Sequence, residues 1–175
     1  MIESAAARGV LCLISASVLA GCGALAQAAA GISPNQLIIN GILVPPDPGP
    51  ANGQTLAGID ANHNGVRDDV ERAIAAKYGA NKQEWRAVFQ AAQAVQLAVV
   101  ADGEASLTGP ANVAGMRAGD CLGYSFDEAD MVAGDRAIDY IFYMTADTPA
   151  RLAAFNATQD VATPDVRFTR NEACQ

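Results

Sequence analysis

Residues 82–101 read KQEWRAVFQAAQAVQLAVVA, and within them Trp85, Val88, Phe89, Ala92, Val95 and Val99 recur at intervals of three and four. That spacing lays the apolar side chains along one stripe of an α-helix. It predicts the core helix of the fold.

The flanks extend the same pattern. From Asp68 to Tyr78, the residues Val70, Ala73, Ile74 and Tyr78 form a second apolar stripe, acidic residues fill the first turn, and Gly79 supplies a stop. After Asp102-Gly103, residues 106–119 are small, with three glycines and Pro110, and predict at most a broken helix near Val113 to Ala118. A further helix is expected over Asp127 to Met144, burying Met131, Ile138, Ile141 and Phe142. Asp127, Glu128 and Asp130 suit its N-terminus, and Gly134 weakens its middle. Thr148-Pro149 reads as an N-cap followed by Pro at the first helical position, opening a helix through Leu152 and Phe155 to about Val161. The tail to Cys174 is expected to be irregular.

No period-two strand pairs, hairpin signals or internal repeats follow Gly58. The expected class is therefore all-α: a small bundle of three or four helices, preceded by a Pro/Gly-rich tether and a short loop. The 175-residue chain accommodates one such domain.

The start of the chain bears on compartment. Arg8 precedes the apolar run Gly9 to Ala20, which is too short to span a bilayer. Leu19-Ala20-Gly21-Cys22 then resembles the lipobox of bacterial lipoprotein precursors. That resemblance implies a signal peptide over residues 1–21, lipidation of Cys22, and several acyl chains anchoring the protein to a membrane. Gly23 resembles the residue found in lipoproteins sent to the outer membrane, which places the protein in the cell envelope, facing the periplasm or the surface.

Residues 22–57 are poor in charge and rich in small residues, with Val44-Pro45-Pro46-Asp47-Pro48-Gly49-Pro50 as the stiffest part. They read as a tether with a root-mean-square span of roughly 30 to 35 Å if flexible. Leu37-Ile38-Ile39-Asn40-Gly41-Ile42-Leu43-Val44 is too apolar for a free linker, and lies either as an extended strand on the domain surface or at the membrane. Residues 58–175 form the expected helical domain.

Charge and cysteines narrow the function classes. The net charge of −8 survives loss of the signal, because Glu3 and Arg8 cancel, and disfavours nucleic acid as a partner. Cys12 leaves with the signal and Cys22 takes lipid. Cys121 and Cys174 remain, and in an oxidising compartment they are expected to form a disulfide. Closing so long a loop contributes about 4 kcal/mol in the chain-entropy treatment.

The most specific motif is the twelve-residue stretch DANHNGVRDDVE at residues 60–71. It satisfies every fixed position of the EF-hand calcium pattern. Calcium requires six to eight hard oxygens, and alternate side chains of a tight loop converge on one point. Asp60, Asn62 and Asn64 are the expected side-chain ligands, Val66 the carbonyl ligand, Asp68 a direct or water-bridged ligand, and Glu71 the bidentate one. Gly65 takes the sharp turn. A metal-free alternative is an Asn-rich turn in which Asp68 and Glu71 cap the following helix. It leaves the alternating Asp60, Asn62 and Asn64 without explanation.

The loop departs from regulatory EF-hands in two respects: Pro-rich sequence replaces the entering helix, and Arg67 occupies the eighth position, where paired hands place an aliphatic residue. It resembles the single calcium loops of dockerins and thrombospondin type 3 repeats. With Asp147-Thr148-Pro149-Ala150-Arg151-Leu152 further on, it is also similar to a group of uncharacterised exported bacterial lipoproteins, a likeness that implies no particular activity. Three carboxylates predict calcium affinity of roughly 10 μM to 1 mM. Such a site stays filled outside cells and acts as a structural staple.

His63 sits at an outward-pointing loop position, and no nucleophile motif, phosphate-cradling loop or zinc spacing is present. The reading is therefore a structural or interaction protein of the envelope with an envelope protein as partner, rather than an enzyme. The alternatives are a small-ligand-binding lipoprotein, with Trp85, Phe89, Tyr140 and Phe142 as pocket candidates that serve equally as core, and, behind it, a hydrolase with an unrecognised carboxylate site.

Overall fold

The computed structural model describes residues 37–126, 132–161 and 166–175. The chain falls into two compact units, 1–34 and 35–175. The first lies outside the described residues, so the signal and Cys22 do too, as do Asp127, Glu128, Asp130 and Met131.

The second unit is all-α apart from one hairpin. Its elements are β1 (Leu37–Ile39), β2 (Ile42–Val44), a 3-10 helix (Gly49–Gly53), α1 (Asp68–Tyr78), α2 (Lys82–Ala101), α3 (Ala105–Ser125), α4 (Ala133–Thr145), α5 (Pro149–Gln159) and the single turn α6 (Arg170–Ala173).

Helix α2 is the centre, packed on by α1, α3, α4 and α5. Asn81 caps it, its Oδ1 accepting from Gln83 N at 3.0 Å and Glu84 N at 3.4 Å. The apolar side chains it buries are small, among them Ala87, Val88, Ala91, Ala92, Val95, Ala98 and Val99. Trp85 and Phe89, the largest members of the expected stripe, are half-buried at its edge, with rings 5.3 Å apart. Alanines at the crossings let neighbouring helices approach closely, so four of them fit around one axis.

Helix α3 corrects the expectation of a broken segment, raising the long helices among the described residues to five. It runs unbroken through Pro110 and four glycines, Gly109, Gly115, Gly119 and Gly123. Its first turn is secured by Thr108, whose N–H and Oγ1 both reach Glu104 O at 2.9 Å. Ala111, Ala118, Cys121 and Leu122 are buried. This burial outweighs weak propensity, as tertiary packing commonly does. At its end Cys121 is bonded to Cys174, with Cα atoms 5.0 Å apart. Within the tail expected to be irregular, Thr169 and Glu172 form a capping box that opens α6.

Helix α5 begins as expected, Thr148 Oγ1 accepting from Arg151 N at 3.2 Å with Pro149 at the first position. Phe155 from α5 packs edge-on against Phe142 of α4 at 5.0 Å.

Residues 37–57, expected as tether, belong to this unit. Asn40 (φ 50°) and Gly41 (φ 78°) form a tight turn that pairs β1 with β2 in the register Leu37 to Val44. Two successive positive φ values suit Asn-Gly, and their twist matches that of the strands. Asn40 Nδ2 donates to Ala75 O at 3.0 Å, which also accepts from Gly79 N, and to Ala76 O at 3.1 Å, tying the turn to the end of α1. Of the two sequence alternatives for this segment, the domain surface holds. No described helix is long and apolar enough to cross a membrane.

Candidate calcium loop

The loop from Asp60 to Glu71 closes on itself through its own side chains. Asp60 Oδ1 accepts from Asn64 N at 3.1 Å, and its Oδ2 from Gly65 N at 2.8 Å. Asn62 Oδ1 accepts from Asn64 N at 3.2 Å, and Asn64 Oδ1 from Val66 N at 2.9 Å. The two amide groups meet one carboxylate oxygen: Asn62 Nδ2 and Asn64 Nδ2 donate to Glu71 Oε2 at 3.1 and 2.7 Å. Gly65 takes φ 84° at the turn, and His63 is exposed at φ 56°.

Four of the six expected ligands, Asp60, Asn62, Asn64 and Glu71, are thus joined in one hydrogen-bonded cluster. Asp68 turns aside, its Oδ1 accepting from Ala61 N at 2.9 Å. Val66 has its side chain fully buried in the core cluster, pinning the loop to the bundle. Among the described residues, no group of three or more His, Cys, Asp and Glu side chains gathers as a metal-holding cluster. The oxygens brought together are those of two carboxylates with two carboxamides between them.

The electrostatics of the loop are unbalanced. Asp68 and Glu71 are only 1% and 3% exposed. Burial pushes both carboxyls above the usual range. The Ala61 N–H and the charge of Arg72 offset this for Asp68, and the Asn64 and Asn62 amides for Glu71, while neighbouring Asp60 adds repulsion to both. Among the described residues, no Lys or Arg forms an ion pair with either one. Buried carboxylates without an ion-paired cation are costly. The side-chain oxygens of Asp60, Asn62, Asn64, Asp68 and Glu71 are hard donors, the type that calcium takes.

Several residues that position the loop were not identified from sequence. Gln93 of α2 donates from Nε2 to Asn64 O at 2.7 Å, bracing the loop from the central helix. Arg67, the odd residue at the eighth position, is fully buried. It ion-pairs with Asp69 at 2.7 Å and Asp147 at 2.9 Å, and donates to Thr145 O at 3.2 Å and Met144 O at 2.8 Å. Arg151 shares Asp147 at 2.7 Å and donates to the carbonyls of Asn52 at 2.5 Å, Thr55 at 3.0 Å and Leu56 at 3.0 Å. An arginine pair about one aspartate therefore replaces the entering helix as the loop's support.

A separate cavity of about 470 Å³ lies among α2, α3, α4 and α5, lined by residues including Val95, Ala98, Ala111, Asn112, Phe142 and Phe155. Of the pocket candidates only Phe142 lines it. Phe89 and Tyr140 pack against the core, and Trp85 stacks on Phe89.

Comparison with protein-family models, curated proteins and solved structures finds no match to this chain.

Proposed function

We propose that the Asp60–Glu71 loop binds one calcium ion as a structural staple, in an envelope lipoprotein anchored through Cys22. The observation that carries the metal reading is a pair of buried carboxylates, Asp68 and Glu71, with no cationic side chain paired to them and with Asp60, Asn62 and Asn64 gathered on Glu71 or one another. Asp60, Asn62, Asn64, the Val66 carbonyl, Asp68 and Glu71 would hold the ion, which supplies the positive charge that the loop lacks. The anchor rests on the Leu19-Ala20-Gly21-Cys22 resemblance alone, and the choice of the outer membrane on Gly23.

Such an ion orients α1, since Glu71 lies in its first turn, and couples that helix to the loop. A hundredfold excess of ligand over its Kd contributes about 2.7 kcal/mol to stability. The test is thermal unfolding of the oxidised chain in calcium, magnesium and chelator, for wild type and Glu71→Gln. The proposal expects a calcium-specific rise in melting temperature that the variant loses. In chelator the variant should be at least as stable as wild type, because it removes a buried charge that no ion pair balances. An identical melting temperature in calcium and chelator rejects the metal and leaves a capped turn.

The second reading, a small-ligand-binding lipoprotein, draws on the cavity among α2, α3, α4 and α5. Its size falls within the range of small-molecule sites, and its walls are largely apolar with Asn112 as a polar point.

A further inference from the structure

The N-terminal half of α2, the end of α3 and the turn α6 enclose a second pocket, of about 550 Å³. Lys82 and Arg86 line it from α2, and Arg170 from α6. Lys82 and Arg86 are four residues apart and so lie one above the other on one helix face. Arg170 is brought to them by the Cys121–Cys174 bond four residues on, and by Tyr124 Oη, which donates to Phe168 O at 3.1 Å. Its guanidinium stands 5.5 Å from the centroid of the Tyr124 ring. The wall is braced by Gln90 Nε2, which donates to Ala173 O at 2.6 Å.

Among the described residues, none of these three cations is in an ion pair. The acids beside them in sequence are otherwise engaged. Glu84 accepts from Asn81 Nδ2 at 2.6 Å, and Glu172 is held by Thr169 Oγ1 at 2.6 Å and Thr169 N at 3.0 Å. The other arginines that the structure places are taken up elsewhere, Arg67 and Arg151 by Asp147, and Arg72 by Pro45 O at 3.0 Å. A chain of net charge −8 with 11 Lys and Arg therefore gathers three of them, unpaired, around one concavity. Like charges held together raise the energy of the free protein, and a multivalent anion relieves that repulsion.

We propose that this pocket binds a phosphate group, on a soluble metabolite or a lipid headgroup. Guanidinium forks and an ammonium match phosphate oxygens in charge and geometry. Tyr124 and the disulfide provide an apolar floor for the body that carries the group.

The test uses the oxidised full chain, titrated calorimetrically with inorganic phosphate, as wild type, Arg86→Gln and Arg117→Gln. Arg117 faces the Phe168 ring at 4.7 Å and does not line the pocket, so its variant is a charge-matched control. The expected result is saturable binding, weakened at least tenfold by Arg86→Gln and little by Arg117→Gln. Arg86 is exposed on α2 and Arg117 half-buried on α3, and circular dichroism checks that both variants keep the helical fold. Absence of saturable binding, or equal weakening by the two variants, overturns the proposal. Sedimentation with phosphatidylglycerol vesicles separates the sources. Binding that phosphate competes away and Arg86→Gln abolishes assigns a lipid headgroup, whereas phosphate binding without vesicle binding assigns a soluble ligand. The calcium proposal can fail without affecting either outcome.

Discussion

Asp147 Oδ2 lies 2.9 Å from Arg67 Nη2, while its Oδ1 lies 2.7 Å from Arg151 Nη1, so one carboxylate, 80 residues on from the eighth residue of the loop, joins that residue to α5. Through these two arginines, Asp147 ties together the loop, the last carbonyls of α4, the first turn of α5 and the segment around the 3-10 helix. Replacing Arg67 by Met leaves Asp69 and Asp147 without it and frees the Met144 and Thr145 carbonyls. The expected loss is about 3 to 5 kcal/mol. Asp147→Asn keeps an acceptor at a partly exposed site, and should cost about 1 to 2 kcal/mol. Urea unfolding midpoints give both values. Equal, small effects would reduce the cluster to a surface ion pair.

The same aspartate predicts a pH signature. Partial burial pushes the Asp147 carboxyl up, but hydrogen bonds from Arg151 and Arg67, and their charges, pull it further down, so it ends below its ordinary value of 3.8. A group with a depressed folded-state pKa contributes stability above its unfolded pKa and loses it as the pH falls through the folded one. The stability difference between wild type and Asp147→Asn should therefore be constant from neutral pH to about 5 and shrink below 4. Taking the difference cancels the other carboxylates. A difference that grows on acidification would contradict this assignment.

Helices α1, α2 and α5 were legible because their signals are local, and the expected Asp127 to Met144 helix appears as α4 from Ala133. The stripe of α2, the acidic start and glycine stop of α1, and Thr148-Pro149 at α5 all act within a few residues. The α3 helix was not, since its glycines and Pro110 argue against helix locally and only burial on α2 and the Cys121 cross-link reverse that. The Asn40-Gly41 turn was a readable hairpin signal, hidden by the Pro-rich composition around it. The twelve loop residues were legible as a pattern, and the structure brings four of them together. Their support was not legible: Arg67 looked like a flaw in the pattern because its partner is distant in sequence, and nothing local points to Gln93.

Two glycine substitutions should act in opposite directions. Gly58 has φ 67°, and a Cβ there would stand 2.8 Å from Arg67 Cγ, 2.7 Å from Asn52 Oδ1 and closer still to Arg67 Cδ. Gly58→Ala therefore strains the backbone and displaces the buried arginine, at an expected cost of about 2 to 4 kcal/mol. Gly119 lies inside α3, and a Cβ there would meet nothing within 4 Å. Gly119→Ala should stabilise by about 0.5 to 1 kcal/mol. Thermal melts of the two variants decide this, and destabilisation by Gly119→Ala would mean that α3 is not helical there.

The disulfide gives the last prediction. It closes a loop of 53 residues, which in the chain-entropy treatment is worth about 4 kcal/mol through the unfolded state. Replacing both cysteines by serine avoids leaving a lone thiol. The loss should fall into two parts that separate experimentally. The global part appears as a lower urea midpoint. The local part concerns α6, a single turn whose other ties include the Gln90 bond to Ala173 and the Tyr124 bond to Phe168. Without the cross-link these few hydrogen bonds must offset the entropy of ordering the tail alone, which they do poorly. Trypsin under native conditions should then cut at Arg167 and Arg170 well before the bundle unfolds, while the oxidised wild type resists. Equal resistance of the two proteins would show that the tail is held by packing and that the disulfide acts only on the unfolded chain.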